Sequence, residues 1–390
     1  MARRVVLHLA LLGVGLVVFR VAVVPAEVCP VVTAAQAGRA VDEAADWLLR
    51  GLGGDGRYLY GYDRDADEVS PDYNGTRHAG VTMALYQYAA VGRPELVEAA
   101  DRGLAFMLDR LLTEGDWQAW RSPGEEVELG ANSLLVAALV MRRRATGDQG
   151  FDGLMQRVGR FLVAQQQSDG SMHAYWNPST RRSVPVQGKF ATGEAAWALA
   201  LLDGEFPGEG WASPALPTLD YLALHRDRDM GFLTRMPDHW AAYAMAELGP
   251  GRLDEVRSAY SRQLAGYFGI RLRFEAQRRG SGINLAVRWV PGTPAGVGTA
   301  GEGIAAIWRL AQVDQRLTDL VPNVEDRLAC FAGMMVERQA TAAEAARYPR
   351  PGMVQGAWFY RGYVQMDDVQ HVMAGLLAAL PVLEAREEAP

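Results

Sequence analysis

Ala191-Thr192-Gly193-Glu194-Ala195-Ala196-Trp197-Ala198-Leu199-Ala200-Leu201-Leu202 carries one charge, Glu194, and that charge sits in its first turn. A helix that is apolar around its whole circumference belongs in an interior, because no face of it favours water. The preceding helical stretch, 151–166, is one-sided, with a charged face opposite an apolar one. The same two characters alternate along the chain. One-sided helices are expected at 38–52, 94–112, 151–166, 214–225, 254–268 and 324–339. Helices rich in Ala, Gly and Leu, nearly uncharged past the first turn, are expected at 73–90, 131–141, 191–202, 238–248, 299–311 and 367–380.

Junctions repeat too. After an outer helix comes a polar, glycine-containing turn followed by an aromatic or Met, as in Glu114-Gly115-Asp116-Trp117, Ser168-Asp169-Gly170-Ser171-Met172 and Asp229-Met230-Gly231-Phe232. Inner segments start near 73, 131, 191, 238, 299 and 367, a period too long and too variable for short helical repeats. The pattern predicts an all-α fold: a single (α/α)6 barrel, or toroid, of six inner and six outer helices over 36–385. An open α-solenoid is the competing arrangement.

Residues 1–28 read differently. Arg3 and Arg4 precede an apolar run over 5–19, then Arg20 and four more apolar residues. A basic start before such a run is the pattern of a secretory signal, with Val24-Pro25-Ala26 as a weak cleavage point. If Arg20 is tolerated, 5–24 is long enough for an uncleaved membrane anchor. Either way the chain is expected to be secreted or anchored, with its bulk extracytoplasmic; a buried N-terminal helix is the alternative.

The 390 residues are 49% hydrophobic and 22% charged, which excludes a disordered or low-complexity chain. A net charge of −7 with no basic face argues against a nucleic-acid partner. The cysteines, Cys29 and Cys330, are too few for a disulfide framework or a Cys-rich zinc site. In an oxidising compartment they could pair, provided their Cα atoms come within about 7 Å. Lys189 is the only lysine among 39 basic residues. An ammonium is a compact donor with a tunable pKa, so in an arginine-dominated chain it is a candidate for contact with an anionic ligand or for proton transfer, with chance survival as the plainer reading.

Arg160-Phe161-Leu162-Val163-Ala164-Gln165-Gln166-Gln167-Ser168-Asp169-Gly170-Ser171 resembles the repeat of α/α-toroid proteins: terpenoid cyclases, prenyltransferase β subunits and toroidal sugar enzymes. Tyr73-Asn74-Gly75-Thr76-Arg77-His78-Ala79-Gly80 resembles inner-helix starts in bacterial proteins related to the C-terminal domain of D-glucuronyl C5-epimerases. Lys189-Phe190-Ala191-Thr192-Gly193-Glu194-Ala195 and Met366-Asp367-Asp368-Val369-Gln370-His371 occupy equivalent places in two later hairpins. The resemblance covers about 38–385 and speaks to architecture more than to reaction.

A barrel gathers the first turns of its inner helices around one mouth, where helix dipoles favour anionic groups. Candidate catalytic groups there are Tyr73, His78, Glu194, Asp238, Glu302 and Asp368. Candidate substrate contacts are Asn74, Arg77, Asn132, Lys189, His239 and Trp240, together with Trp358, Tyr360, Arg361, Asp367 and His371. Several have plainer readings: Asp72, Asp238 and Asp367 stand where helix caps are expected, Arg77 and Glu194 could form an interior ion pair, and the tryptophans could plug the barrel. Asp367 and His371 are spaced for two metal ligands, yet no HExxH or Cys pair supplies more, so neither a metal nor another cofactor is expected. Gly296-Val297-Gly298-Thr299-Ala300-Gly301 matches a dinucleotide fingerprint, and 283–290 before it could be a strand. No βαβ unit follows, and the glycines are better explained by close helix packing.

Three functions remain open at this point. The first is an exported enzyme acting on an anionic, uronic-acid-type glycan as epimerase, lyase or glycoside hydrolase. Arg77 or Lys189 would face the carboxylate, and Tyr73, His78 or Glu194 would take the proton; in a hydrolase, Glu194 would pair with Glu302 or Asp238. The second is an isoprenoid-handling toroid, although the acidic DxDD motif of hopene-forming cyclases is missing. The third is a non-catalytic glycan-binding module. The oligomeric state is not legible.

Overall fold

Side-chain caps set the starts of many of the helices. The computed structural model describes residues 2–20, 26–124, 126–230, 235, 237–278 and 292–388. Helix α1 spans Ala2–Val18. In α2 (Ala34–Arg50), the side chains of Thr33 and Gln36 each accept the other's backbone N–H. Asn74 caps α3 (Gly75–Val91) by accepting from Arg77 N. Then come α4 (Leu96–Leu108), α5 (Leu129–Thr146), α6 (Asp152–Ala164), α7 (Ala191–Glu205) and α8 (Ala212–Tyr221), which runs on through a π-turn at Leu222–Arg226. Asp238 caps α9 (His239–Leu248), and α10 spans Glu255–Arg278. Thr293 caps α11 (Pro294–Val313), whose first-turn proline needs no N–H acceptor. The last three are α12 (Val321–Arg338), α13 (Ala342–Ala345) and α14 (Met366–Glu388).

The six segments expected inside are α3, α5, α7, α9, α11 and α14, and the central stretches of each are buried. They touch in cyclic order: α3 on α5, α5 on α7, α7 on α9, α9 on α11, α11 on α14, and α14 back on α3. The one-sided helices α2, α4, α6, α8, α10 and α12 each lean on inner helices from outside. One continuous apolar cluster, from Ala37 to Leu383, fills the space between the two sets.

Short strands, absent from the all-α expectation, decorate the loops that enter the inner helices. β1 (Gly61–Asp63) pairs with β2 (Glu68–Val69) and, from the far end of the chain, with β8 (Tyr363–Gln365), in register Tyr62↔Val364. β3 (Leu111–Glu114) and β4 (Trp117–Trp120) form a hairpin, and β5 (Val127–Glu128), β6 (Tyr175–Asn177) and β7 (Arg182–Val184) a small sheet. The β3–β4 hairpin corrects the expected helix over 94–112, which ends at Leu108: Gly115 at φ +58 turns the chain back on itself, so Leu111 and Leu112 are drawn into a strand. In the other direction, α10 runs ten residues past its expected end at Phe268.

Cys29 and Cys330 form a disulfide with their Cα atoms 4.7 Å apart, fastening the segment before α2 to α12. Glu27 reinforces the seam through Arg273 at 3.1 Å and through Arg327. The apolar side chains of α1 stand exposed, Leu9 at 62%, so the alternative of a buried N-terminal helix is not adopted. Among the described residues no helix is long and apolar enough to cross a membrane. Val24 and Pro25 of the expected cleavage point, and the strand considered at 283–290, lie outside the described residues.

Candidate active site

A cavity of about 970 Å³ opens where the first turns of the inner helices meet. From the sequence expectation it gathers Asn74 and Arg77 of the first inner helix, Lys189 and Glu194 of the third, His239 and Trp240 of the fourth, and Asp367 and His371 of the sixth. Asn74 is also the α3 cap, so its side-chain oxygen is engaged with Arg77 N at 2.9 Å.

The centre of the arrangement is a chain of ionisable groups across α9, α11 and α14. Glu302 is fully buried, and its two oxygens accept from Tyr243 Oη at 2.9 Å and from His371 Nδ1 at 2.6 Å. Nε2 of His371 lies 3.6 Å from Asp367, which in turn pairs with Arg77 at 3.5 Å. The His239 ring crosses that of His371 nearly at right angles, 5.1 Å between centroids, and both of its nitrogens lack a hydrogen-bond partner. Close approach of α11 to α14 makes this geometry attainable. A Cβ on Gly298 would sit 2.6 Å from the His371 carbonyl carbon, and on the side towards α12 one on Gly301 would strike the Phe331 ring. The glycines of the dinucleotide-like fingerprint are therefore packing glycines.

Environment drives the two histidines apart. Burial pulls His239 well below the usual imidazole range, and the neighbouring His371 pushes the same way. Burial also opposes charge on His371, but the Glu302 carboxylate, joined by Asp367 and Asp368, outweighs it and raises the pKa to about 9. Glu194 is raised to about 8, first by burial and then by the Asp238 and Glu128 carboxylates, so it holds its proton at neutral pH. At pH 7 the cavity thus offers an unprotonated imidazole, a protonated one and a protonated carboxyl. His239, Glu302 and His371 also bring potential metal-ligand atoms within 4.8 Å of one another. Since Glu302 already accepts from both His371 and Tyr243, the cluster suits a proton better than an ion.

Other predicted residues lie elsewhere. Tyr73 accepts from Tyr58 N and donates to His78 Nδ1 at 2.7 Å, and His78 Nε2 donates to Gly103 O at 2.8 Å, facing α4 rather than the cavity. Burial lowers His78 to about 4. Asn132 is saturated by the backbones of Trp120 and Glu128. Asp238 serves as the α9 cap and pairs with Arg226. Asp368 accepts from Ala295 N and Gln365 N, binding α14 to the start of α11. Trp358 is buried and donates to Met335 O, while Tyr360 and Arg361 lie at the turn into β8, Arg361 at φ +52. Glu302 stands behind His371 and does not itself line the cavity. Of the two remaining aspartates expected as caps, Asp72 leaves that role to Asn74, and Asp367 lies inside the first turn of α14.

Three contributors escaped the sequence reading: Tyr243, Gln370 and Arg271. Tyr243 follows His239 by four residues, a same-face spacing that could have revealed it. Gln370 lines the cavity, is 2% exposed, and leaves Nε2 without a partner. Arg271 falls in the unforeseen extension of α10.

No family model matches the chain, and no curated sequence does. Solved structures do. A cellobiose 2-epimerase from Spirochaeta thermophila superposes with a TM-score of 0.62 at 13% identity, covering 91% of this chain and 97% of the other. An unsaturated glucuronyl hydrolase specific for heparin gives 0.60 at 11% identity, covering 91% and 98%. A type II terpene cyclase from Scytonema gives 0.53 at 13% identity, covering 90% and 99%. The chain shares the α/α-toroid fold of these enzymes. At such identities the likeness is one of fold, and the fold accommodates both sugar and isoprenoid chemistry.

Proposed function

We propose that this is an exported carbohydrate-active enzyme, built as an (α/α)6 barrel, that moves a proton on a glycan of uronic-acid type. The observation that carries the reading is the pair of histidines, packed ring edge to ring face, held in opposite protonation states inside one cavity. Two titratable groups whose surroundings push their pKa values apart are the signature of an acid–base pair. His239, unprotonated, removes the proton on the carbon next to the carboxylate, and the electron pair moves into the carboxylate as an enediolate. His371, protonated, returns a proton to that carbon from the other face, which inverts the centre. Glu194, still carrying its proton, is placed to donate a hydrogen bond to the developing charge. If a group at the adjacent carbon departs instead, the same abstraction ends as an elimination.

A wall of Arg77, Lys189, Glu194, His239 and Asp367 favours a polar, anionic ligand over an isoprenoid. Two of the fold neighbours, a cellobiose 2-epimerase and an unsaturated glucuronyl hydrolase, act on sugars, which favours the same reading. Export is supported by the basic-then-apolar leader and by the Cys29–Cys330 disulfide, which an oxidising compartment would maintain. Glu194 favours a second reading, a glycoside hydrolase in which it is the general acid. Proton NMR of uronate oligosaccharides in D2O decides between them. The epimerase reading predicts deuterium appearing at the carbon beside the carboxylate, lost in His239→Gln. Hydrolysis without any exchange would replace it with the second reading.

A further inference from the structure

Besides the histidines, one lysine and three arginines line the cavity, and they are not equivalent. Arg77 is committed to Asp367 and to the Tyr60 hydroxyl. Arg235 donates to Met230 O, and Lys189 stands exposed at the rim above the Phe190 ring. Arg271 differs from all three. It is largely buried, and among the described residues it makes no hydrogen bond or ion pair and is acted on by the charge of Glu275, a turn further along α10. Glu275 is itself occupied by Gly292 N, Arg278 and Arg338. No acid stands anywhere between 276 and 301 in the sequence to serve instead.

A guanidinium cannot escape burial by losing its proton, so an unpaired one is costly unless something arrives to meet it. Its position aggravates the cost. Nη2 lies against the first turn of α11, so close that a Cβ on Gly296 would stand 2.0 Å away. That turn is the positive end of a 20-residue helix. Ala295 N, Gly296 N and Val297 N already have acceptors in Asp368, Thr293 Oγ1 and Thr293 O, so the free donors belong to the guanidinium. Two further orphans share this cavity: His239, at both ring nitrogens, and Gln370 at Nε2, each 2% exposed. A ligand with one anionic group and several hydroxyls would answer all three.

We propose that Arg271, with Gly296 making room for it, is the carboxylate anchor of the cavity, and that it fixes specificity for a uronic acid over the neutral sugar. The proposal rests on the cavity being a sugar site, and it replaces the expectation that Arg77 or Lys189 takes that part. The planar fork of the guanidinium matches a carboxylate with two parallel hydrogen bonds. Arg77, neutralised by Asp367, is left to orient Asp367 against His371.

Binding measured calorimetrically on the full chain tests this without requiring turnover, with sodium D-glucuronate, D-glucose and D-glucose 6-phosphate as probes. Wild type is expected to prefer glucuronate over glucose, and Arg271→Gln to weaken glucuronate about 10- to 100-fold while leaving glucose unchanged. The melting temperature of R271Q should hold or rise, because an unpaired buried charge has gone. Gly296→Val, which keeps the arginine but displaces it, should show the same selective loss. Equal glucuronate affinity in wild type and R271Q overturns the assignment, as does a wild type indifferent to the carboxylate. Tighter binding of glucose 6-phosphate than of glucuronate replaces the carboxylate with a phosphate and equally overturns it. Glucuronate held through Arg271 with no proton exchange would instead sink the epimerase reading and leave the anchor standing.

Discussion

Replacing Glu302 by Gln tests the source of the acid. The side chain keeps its shape and retains an oxygen to accept from His371 Nδ1 or Tyr243 Oη, but the negative charge at 2.6 Å from the imidazole disappears. Burial already opposes protonation of His371, and Glu302 is the strongest influence raising it to about 9. Without it the pKa should fall to about 6.5 or lower, the value of a free imidazole. Two consequences follow with definite signs. At pH 7.5 the protonated fraction of His371 drops to about one tenth, so proton exchange should slow about tenfold and recover as the pH is lowered. In stability, wild-type His371 binds a proton in the folded state between pH 6.5 and about 9 that the unfolded chain does not bind. Its stabilisation, ~3 kcal/mol, is complete below pH 6.5 and fades as pH rises through 9. E302Q should therefore be less stable than wild type near pH 6 by that order, with the gap closing by pH 10. Urea unfolding across pH 5–10, together with the histidine NMR titration, provides both readouts. A basic limb that stays near 9 in E302Q, or a gap independent of pH, would refute the pairing as the origin of the acid.

Glu194→Gln should match wild type near pH 4 and become progressively more stable than it towards pH 8. Glu194 is raised to about 8, so the folded state holds a proton that the unfolded chain sheds, and wild-type stability declines over that window; pH-dependent urea melts show the divergence. Gly298→Ala places a methyl about 2.6 Å from the His371 backbone, which should cost about 1–3 kcal/mol and lower kcat more than it raises KM. Thermal melts and steady-state kinetics on the same preparation separate the two effects.

Burial explains what the sequence could disclose. An inner helix such as α7 must be apolar on every side because it touches α5, α9, α6 and α8, and that requirement is written directly into 191–202. For the same reason the sequence is silent about which residues of that helix face the bore. A uniformly apolar segment has no asymmetry to fix its rotation, and one residue is a 100° turn. Arg77 therefore reaches the cavity while His78, its neighbour, points outward to Gly103 O. Asn132 and Asp368 share that ambiguity: each stands on a first turn, and each is claimed by backbone groups of an adjoining loop. Arg271 was hidden differently, because α10 continues through Gly269 into residues whose partners belong to distant parts of the chain.

The split between the two histidines follows from which helix lies between them. α11 sits between α9 and α14 in the ring, and it carries the acid, Glu302, one level below the mouth. From there the carboxylate reaches His371 on one side and a neutral phenol, Tyr243, on the other. His239, one turn above Tyr243 on the same helix, is left with aromatic and histidine rings and with neither ring nitrogen hydrogen-bonded to a carboxylate. One fixed charge, placed off-centre, thus keeps one imidazole protonated and leaves its neighbour neutral. The same placement bears on the anionic ligand proposed for the mouth. With Glu302 neutralised by His371, Glu194 protonated and Asp367 matched by Arg77, the guanidinium of Arg271 is left, among the described residues, as a largely buried charge without an ion pair. A carboxylate bound there would bring its own adjacent carbon into the space that His239 and His371 share, so recognition of the acid group and activation of the proton beside it would be one event.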